Sequence, residues 1–409
     1  MKFGKVGTVG KVALVSAIAL SVATLFTACS TLTVGFLYVA TNKQTPGQIE
    51  VYEVNSESGV LKLIPTSPFP SGGRNPIAEV PSNDAKNLYV VNGDDNNVVQ
   101  FGIGTDGKLY SQSTVNTPGA FPLAATMNST DTFLYGLDTL QPIAGCTPSN
   151  PCPGDVFVCP VTATGALGTP VDGTNQCLNS YPLELTAGNT KTVLTPSAMN
   201  LLANGSYLYV TAYNALTSPN IGYLFAFTVN GDGTLTSVPL GSGGTIPLQI
   251  GTQPVGMASD SSSSYLYIVD KLQNQVATYN VGSTGSVSPA SVATTGAQPS
   301  AVTLTGTDFV YVTNSLDSTI TGYTASSGTL TNFGTYATGT NPVAVMGDPR
   351  KLGFLYTVNF LGNTLSGYQV NATTGALINT QNAPYGSTAQ PTAIAGIPHG
   401  GTTTAAATQ

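Results

Sequence analysis

The chain has 409 residues, of which 41% are hydrophobic and only 8% charged, and it contains 46 Gly and 27 Pro. This composition can fill a large core but is too rich in turn formers for a helical protein, and no segment keeps a 3.6-residue apolar period. Twelve basic residues stand against 19 acidic ones. This balance argues against nucleic acid as a partner, because an acidic surface repels phosphate.

Residues 1–28 have the pattern of an export signal. Lys2, Lys5 and Lys11 precede an apolar stretch over residues 12–26, which is short for a membrane-spanning helix of about 20 residues. The stretch ends in small residues before Cys29, and this ending resembles the lipidation motif of bacterial lipoproteins. We therefore expect cleavage before Cys29, a lipid on its thiol, a short linker over 29–35 and a protein anchored in the bacterial cell envelope, on the periplasmic or cell-surface side. Ordinary secretory cleavage nearby is the alternative.

The remaining cysteines support export. They form an even set within 32 residues, namely Cys146, Cys152, Cys159 and Cys177. In an exported chain such a set predicts two disulfides, for which three pairings are possible. A zinc site is the weaker alternative, because the spacing has no CxxC pair and no His lies nearby. No metal or other cofactor is predicted.

One pattern recurs seven times between residues 36 and 397. Each copy has an apolar strand with a Tyr, then a Gly-x-(Leu/Val) turn, then a strand that opens Pro-x-(Ala/Gly). The tyrosines are Tyr38, Tyr89, Tyr135, Tyr209, Tyr267, Tyr311 and Tyr356, which lie 44 to 74 residues apart. A period of this length with several strands per unit is typical of propeller blades. The sequence therefore predicts an all-β, seven-bladed β-propeller of four-stranded antiparallel blades, and we expect a monomer.

The phase of the repeat predicts how the ring closes. In each blade the Pro strand is innermost (strand a), the Tyr strand follows (b), and strands c and d flank the Gly turn. The first Tyr has no such proline before it, and the last proline, Pro391, has no Tyr after it. Both irregularities disappear if Pro391–Ala395 pairs with Leu37–Thr41, which removes the free sheet edges. Residues 398–409 are predicted to be a disordered tail.

The third blade breaks the spacing. Its repeat predicts insertions at about 139–154, between strands b and c, and at about 172–192, between strand d and the next strand a. Both connections of an up-and-down blade emerge on the face that carries the channel mouth. We therefore expect a disulfide-stapled elaboration of that face. The alternative is that the disulfides only stabilise long loops.

The tyrosine strands carry a recognisable motif. Tyr311-Val312-Thr313-Asn314 and the variant Tyr89-Val90-Val91-Asn92 match the YVTN-type repeat. With the Gly and Pro landmarks, the chain resembles the lactonase-type (6-phosphogluconolactonase-like) seven-bladed propellers. This resemblance covers residues 36–397 and implies an ester hydrolase with its site at the channel mouth.

The residues at the mouth depart from that implied chemistry. Lactone opening needs a base and oxyanion donors, and a phosphorylated substrate needs cations. Enzymatic relatives carry Arg and His directly after the strand-a proline, whereas this chain has Ile77, Leu123, Ser197, Val255, Ser300, Val343 and Thr392 there. Glu79 with Arg74 is the one acid/base-like pair near the mouth, predicted either as catalytic or as a structural ion pair. Arg350 is expected to be a solvated charge on the opposite face, and His399 a tail residue.

Carboxamides stand just before five of the strand-a prolines. They are Asn75, Gln253, Gln298, Asn341 and Gln390. At the mouth they could hydrogen-bond a neutral polar ligand such as a sugar, or they could instead satisfy backbone groups at the blade junctions. The acidic run 92–97 fits a hairpin turn better than a calcium loop, since it lacks the ordered ligand spacing.

Two functions remain open from the sequence. The leading hypothesis is a lactonase-like propeller lipoprotein without the usual catalytic set, which binds a protein or carbohydrate through the mouth face. The alternative is a hydrolase of uncharged lactones that uses Glu79 and Arg74.

Overall fold

The computed structural model describes residues 33–42, 45–171, 174–177, 179–241, 247–306, 308–399 and 407–408. Every regular element in these ranges is a β-strand. They include no helix of the length and apolarity that a membrane crossing requires. The predicted signal peptide, Cys29 and most of the predicted linker and tail lie outside the described residues.

The strands group into seven antiparallel sheets, the blades, and one separate two-stranded sheet. Blade 1 consists of β1 (Thr33–Thr41), β2 (Gln48–Asn55), β3 (Leu61–Leu63) and β4 (Phe69–Pro70), together with two strands from the end of the chain. Blade 2 consists of β5 (Pro76–Pro81), β6 (Asn87–Asn92), β7 (Asn97–Ile103) and β8 (Leu109–Asn116). Blade 3 consists of β9 (Ala120–Met127), β10 (Phe133–Leu140), β11 (Asp155–Pro160) and β14 (Asn179–Pro182), with an added hairpin of β12 (Thr169–Val171) and β13 (Thr174–Gln176).

The second half of the ring is more regular. Blade 4 consists of β15 (Thr195–Leu201), β16 (Tyr207–Asn214), β17 (Ile221–Val229), β18 (Leu235–Val238) and β19 (Leu248–Gln249). Blade 5 consists of β20 (Pro254–Ser259), β21 (Tyr265–Asp270), β22 (Gln275–Val281) and β23 (Val287–Thr294). Blade 6 consists of β24 (Pro299–Thr305), β25 (Phe309–Asn314), β26 (Thr319–Ser326) and β27 (Thr329–Ala337). Blade 7 consists of β28 (Pro342–Gly347), β29 (Phe354–Asn359), β30 (Thr364–Val370), β31 (Leu377–Asn379) and β32 (Tyr385–Gly386). The chain ends in β33 (Pro391–Pro398) and β34 (Ala407–Thr408).

The ring closes as the repeat predicts. β33 pairs antiparallel with β1, with Leu37 opposite Gly396 and Ala40 opposite Ala393. Each innermost strand packs against the next, and β33 packs against both β28 and β5. The seven-bladed all-β prediction is therefore confirmed. β34 pairs with the C-terminal half of β33.

Arg350 is exposed, as expected of a solvated charge, and it also binds backbone groups. It lies in the a–b turn of blade 7, where its Nε donates a 3.1 Å hydrogen bond to the carbonyl oxygen of Val34 at the start of β1. The guanidinium also binds the carbonyl oxygen of His399, just after β33. Arg350 therefore ties together the two strands that close the ring.

The hydrophobic core lies between neighbouring blades as well as within them. Seven buried clusters each combine strands of adjacent blades. The repeated tyrosines fill these junctions and are almost fully buried. This arrangement explains why the apolar positions repeat once per blade, since each blade must bury two faces of its sheet.

Blade 3 differs from the predicted arrangement of its insertions. The first insertion, after β10, lies on the mouth face as expected. The chain then makes the β12–β13 hairpin between strand c and strand d, where the sequence predicted strand d itself. Because strand c ends on the face opposite the mouth, Cys159 near its end lies there too. The two disulfides, Cys146–Cys152 and Cys159–Cys177, therefore do not both staple the mouth face.

Candidate functional site

The innermost strands enclose a channel. A cavity of about 400 Å³ lies along the axis, and small residues line it at the position two after each strand-a proline. They are Ala78, Ala124, Ala198, Gly256, Ala301, Ala344 and Ala393. A Cβ atom on Gly256 would lie 3.1 Å from the Cα of Ala301 in the next blade. Crowding around the axis thus explains the small residues.

The channel wall near the mouth is neutral. The residues directly after the strand-a prolines are aliphatic in four blades and hydroxyl-bearing in three. The hydroxyls are already engaged, since Ser300 Oγ donates to the Pro342 carbonyl at 2.7 Å and Thr392 Oγ1 to the Pro76 carbonyl at 2.6 Å. Ser197 pairs with Thr211 within its own blade. These hydroxyls join strands to one another and do not point to an activated nucleophile.

Glu79 is the one ionisable side chain among the described residues that line the cavity. It is only 2% exposed, and neither carboxylate oxygen has a hydrogen-bond partner in the described chain. Burial raises the pKa of Glu79 well above its ordinary value, and the nearby Ala40 backbone only partly opposes this. Burial therefore favours the protonated form of Glu79, which is a poorer general base than a solvated carboxylate.

The structure does not bring Arg74 and Glu79 together. The Arg74 guanidinium instead forms a two-pronged ion pair with Asp95, at 2.6 and 2.7 Å, and donates to the carbonyl of Asp94. The side chain is 55% exposed, so this pair is a surface contact. Sequence reasoning missed Asp95, although the acidic run that contains it was visible. The described residues contain no group of three or more His, Cys, Asp or Glu that could hold a metal ion.

The carboxamides have a conformational cause as well as a position. Four of the five carboxamides adopt φ between 32° and 58°, a region that Asn tolerates better than most residues. Phe121 shares this conformation in blade 3, whereas Gln253 does not adopt it. Their backbones are fixed by the preceding blade. For example, Gln298 N–H donates to Asn274 Oδ1 at 2.8 Å and Gln390 N–H to Asn363 Oδ1 at 2.7 Å. The alternative to ligand binding was that the amide side chains bond backbone groups at the blade junctions. In these two bonds the main-chain N–H groups of Gln298 and Gln390 are the donors, and their side-chain amides take no part.

The side chains of these carboxamides are mostly free. Asn75 Nδ2 donates to Asp94 Oδ1 at 3.0 Å. The other four amides are partly exposed and have no hydrogen-bond partner within the described residues. We call them the carboxamide arc: Gln253, Gln298, Asn341 and Gln390. They stand on consecutive blades, 5, 6, 7 and 1, at the mouth end of strand a.

The mouth face has a second feature that sequence reasoning missed. In four consecutive blades a leucine stands two residues after the last residue of strand b, at the tip of the b–c turn. We call these the leucine arc: Leu216, Leu272, Leu316 and Leu361. Their side chains are 79%, 53%, 64% and 60% exposed, respectively. The available signal was the register, since each leucine follows Asn214, Asp270, Asn314 or Asn359 by two residues.

The comparisons with known proteins agree with the fold. Residues 245–394 match the family model described as "Lactonase, 7-bladed beta-propeller". The predicted resemblance to the lactonase-type propellers is thus confirmed over these residues. The matched part begins at the end of blade 4 and runs through blades 5, 6 and 7 into the closing strand. No curated protein matches the sequence.

Solved structures resemble nearly the whole chain at low identity. A candidate 6-phosphogluconolactonase from Bacteroides fragilis is 18% identical, with a TM-score of 0.71 over 90% of this chain and 99% of that one. The periplasmic gluconolactonase of Pseudomonas aeruginosa is 17% identical, with a TM-score of 0.71 over 89% and 99%. A protein from Lactobacillus plantarum is 17% identical, with a TM-score of 0.70 over 89% and 99%. At these identities the likeness establishes the fold alone.

Proposed function

We propose that this chain is an exported binding propeller, which docks a protein partner over the channel mouth without hydrolysing a lactone. The observation that carries this proposal is the leucine arc. Turn tips normally hold Gly, Asn, Asp, Ser or Pro, yet four consecutive turns here end in an exposed leucine at the same position. Single exposed apolar residues need no explanation, but a repeated set on one face is typical of an interaction site.

The two arcs complement each other. The carboxamide arc lies at the start of the innermost strands and the leucine arc on the turns farther from the axis. Carboxamides offer both donors and acceptors, which suits the backbone of an extended segment, while the leucines suit its apolar side chains. An uncharged, partly apolar segment of a protein partner fits this surface best. A carbohydrate would use the carboxamides and leave the leucines without a contact.

The channel chemistry supports binding over hydrolysis. The wall near the mouth carries no free cation among the described residues, and Glu79 is buried, which favours its protonated form. A hydrolytic water would lack a base, and a developing oxyanion would lack an arranged pair of donors.

The predicted anchor is compatible with a free mouth. β1 runs from Thr33 towards its b–c turn, so Thr33 lies at the face opposite the mouth. A lipid on Cys29 would therefore hold the opposite face towards the bilayer, because the three residues between them span at most about 14 Å. The leucine arc would then point away from the membrane and towards other envelope components.

A matched pair of variants tests this proposal. The first replaces the leucine arc by serine (Leu216→Ser, Leu272→Ser, Leu316→Ser and Leu361→Ser). The control replaces Val292 and Ile378, which are 62% and 66% exposed on outer strands, by serine. Photo-crosslinking in intact cells, followed by titration of the purified partner, should lose the same partner only in the leucine variant. Equal capture by both variants, or leucine-dependent binding to lipid vesicles, would contradict the proposal.

Lactone hydrolysis is the second candidate. It is favoured by the family match over residues 245–394 and by the cavity itself, where Glu79 would act as an acid and Arg74 would attract substrate. Turnover of glucono-δ-lactone and its 6-phosphate, followed in a pH-stat, tests it directly. Turnover that is lost in Glu79→Gln would establish the hydrolase and remove the non-catalytic proposal.

Binding of neutral sugars that is lost in Gln298→Ala, and kept in the exposed outer-strand control Gln112→Ala, would favour a carbohydrate ligand.

A further inference from the structure

Two buried carboxylates face each other in blade 3, at the start of the first insertion. Asp138 in β10 and Asp155 in β11 are direct cross-strand partners, and both are 0% exposed. Side chains of such partners lie about 4.5–5.5 Å apart at Cβ. Two full negative charges at this distance in a buried site would repel strongly, because the interior screens charge poorly.

Each carboxylate has one satisfied and one unsatisfied oxygen. Asp138 Oδ2 accepts a 2.8 Å hydrogen bond from the Gly119 N–H, and Asp155 Oδ2 accepts one from the Ser180 hydroxyl. The two Oδ1 atoms have no N–H or O–H partner within the described residues. Buried polar atoms in native structures almost always have a partner. Something that the protein's own N–H and O–H groups do not supply must therefore satisfy them.

In three other blades a hydrogen bond joins the residues at the positions of Asp138 and Asp155. In blades 2, 6 and 7 the last residue of strand b is Asn, and its Nδ2 donates to the first residue of strand c. The bonds are Asn92 to Asn97 at 2.9 Å, Asn314 to Thr319 at 3.0 Å and Asn359 to Thr364 at 3.1 Å. In blade 6 the Asn Oδ1 also accepts from the Gly296 N–H, as Asp138 Oδ2 does from Gly119. Asp138 Oδ1 thus stands where the other blades have a hydrogen-bond donor.

We infer that Asp138 and Asp155 share one proton, so that a carboxylic acid O–H joins the two ends of the blade-3 insertion and makes this joint sensitive to alkaline pH. A proton fits the place better than a metal ion, since the equivalent positions meet at hydrogen-bond distance and a calcium ion needs six to eight oxygen ligands. The site is also tightly packed, because a Cβ on Gly154 would lie 2.4 Å from the Asp138 carbonyl oxygen.

The surroundings contain no opposing charge. The preceding loop contributes Thr117 and Gly119, β14 contributes Ser180, and the loop after β14 contributes Glu184. The Glu184 carboxylate accepts from the Gly188 N–H and the Gln141 amide, and Lys191 in the same loop is exposed. The three ion pairs among the described residues all lie in blade 2. Burial first, and then the neighbouring Asp155, raise the pKa of Asp138 to about 8, and burial raises the pKa of Asp155.

The sign of the pH effect follows from these directions. The folded protein keeps a proton that the unfolded chain releases above the ordinary Asp pKa of about 3.9. Stability from this joint is therefore complete below about pH 4 and is lost as the pH rises through the folded pKa, near 8. Between these limits the unfolding equilibrium constant gains up to about tenfold per pH unit from this one proton.

Asp138→Asn tests the inference, because it restores the Asn that blades 2, 6 and 7 carry. In urea unfolding between about pH 5 and pH 9, the unfolding equilibrium constant should rise less steeply with pH than in the wild type. The difference should be up to about tenfold per pH unit. Asp155→Asn should have the same effect, since Asn can donate from either side. Amide hydrogen exchange of residues 141–154 should accelerate above about pH 8 in the wild type, beyond the intrinsic rate increase, and less so in either variant.

Asp270→Asn in blade 5 is the matched control. Asp270 holds the same position, but Thr252, Gln253 and two turn amides donate to its oxygens, so both oxygens have hydrogen-bond partners. This variant should lose stability without flattening the pH profile. Parallel pH profiles for the wild type, Asp138→Asn and Asp155→Asn would overturn the inference. Slower exchange on addition of calcium, seen in the wild type and absent from Asp138→Asn, would also overturn it in favour of a cation.

Discussion

The hydroxyl of Tyr38 donates a 3.2 Å hydrogen bond to the carbonyl oxygen of Gly107, 69 residues away in the next blade. The same bond joins the repeated tyrosine of one blade to the turn glycine of the next at four further junctions. These are Tyr89 to Gly165, Tyr209 to Gly285, Tyr311 to Gly375 and Tyr356 to Gly59. Two landmarks of the sequence repeat are therefore the two ends of one contact between blades.

The bond at the ring closure gives the first prediction. Tyr356 donates to Gly59 at 2.8 Å, whereas the buried Tyr135 hydroxyl has no partner within the described residues. Tyr356→Phe should lower the free energy of unfolding by about 1–3 kcal/mol, because it leaves a buried carbonyl unsatisfied. Tyr135→Phe should be neutral or slightly stabilising. Urea unfolding of both variants measures the difference, and equal losses would show that the hydroxyl bond contributes nothing.

The turn glycine gives the second prediction. Gly107 has φ of 78°, and a Cβ there would lie 2.5 Å from the Phe36 ring of the preceding blade. Gly205 has φ of 71° but nothing within 4 Å of such a Cβ. Gly205→Ala should therefore cost only the backbone strain of about 1–2 kcal/mol. Gly107→Ala should cost more, because the ring must also move.

Thermal and urea unfolding distinguish these two contributions. If Gly107→Ala and Gly205→Ala lose the same stability, the aromatic contact across the junction is not a reason for the glycine. A larger loss in Gly107→Ala assigns two roles to the repeated glycine, one in its own turn and one in the packing against the preceding blade.

The features that could be predicted from the sequence are those that its repeated residues mark in every blade. Tyr, Gly and Pro occur once per blade because each makes the same junction, so their phase predicts the blade number and the pairing of Pro391–Ala395 with Leu37–Thr41. Features that occur once offered no such guide. The partner of Arg74 proved to be Asp95 and not Glu79, which depends on side-chain geometry that spacing does not encode. The pair of strands Thr169–Val171 and Thr174–Gln176 was likewise not predicted, since no other blade repeats it.

The two arcs show that a repeated position is noticed in the sequence only when its residue type is informative. The carboxamides were visible in the sequence because the proline marks their position. The leucines share an equally fixed register after strand b, but polar turn residues are the expected occupants there. An apolar exception becomes informative only when the structure shows that Leu316 and its three counterparts are exposed on one face.

The disulfides give the third prediction. Cys146 and Cys152 are six residues apart, and Cys159 and Cys177 are 18 apart. A disulfide that closes a longer loop removes more entropy from the unfolded chain, which stabilises the fold by about 3 kcal/mol for the longer loop and about 2 kcal/mol for the shorter one. Cys159 and Cys177 are also buried in the core between blades 2 and 3. The double alanine variant of Cys159 and Cys177 should therefore lose more stability than that of Cys146 and Cys152. Urea unfolding under oxidising conditions compares them, and the reverse order would contradict this account.

Glu79 gives the last prediction, which concerns pH. Its carboxyl group is buried without a hydrogen-bond partner, and burial raises its pKa well above the ordinary value. The folded protein therefore keeps a proton that the unfolded chain releases above about pH 4.3. Stability is complete below that pH and falls as the pH rises towards the folded pKa, by up to about 1.4 kcal/mol per pH unit.

Glu79→Gln removes this titration while keeping the shape of the side chain. At about pH 4 the variant and the wild type should have similar free energies of unfolding, and above about pH 5 the variant should become progressively the more stable. The Asp138→Asn background should add its own effect independently, since the two groups lie in different blades without a shared partner. A wild type that stays as stable as Glu79→Gln up to about pH 8 would mean that Glu79 is ionised in the folded protein. In that case a cation or a water-filled channel must reach it, and the hydrolase would become the better account of the mouth.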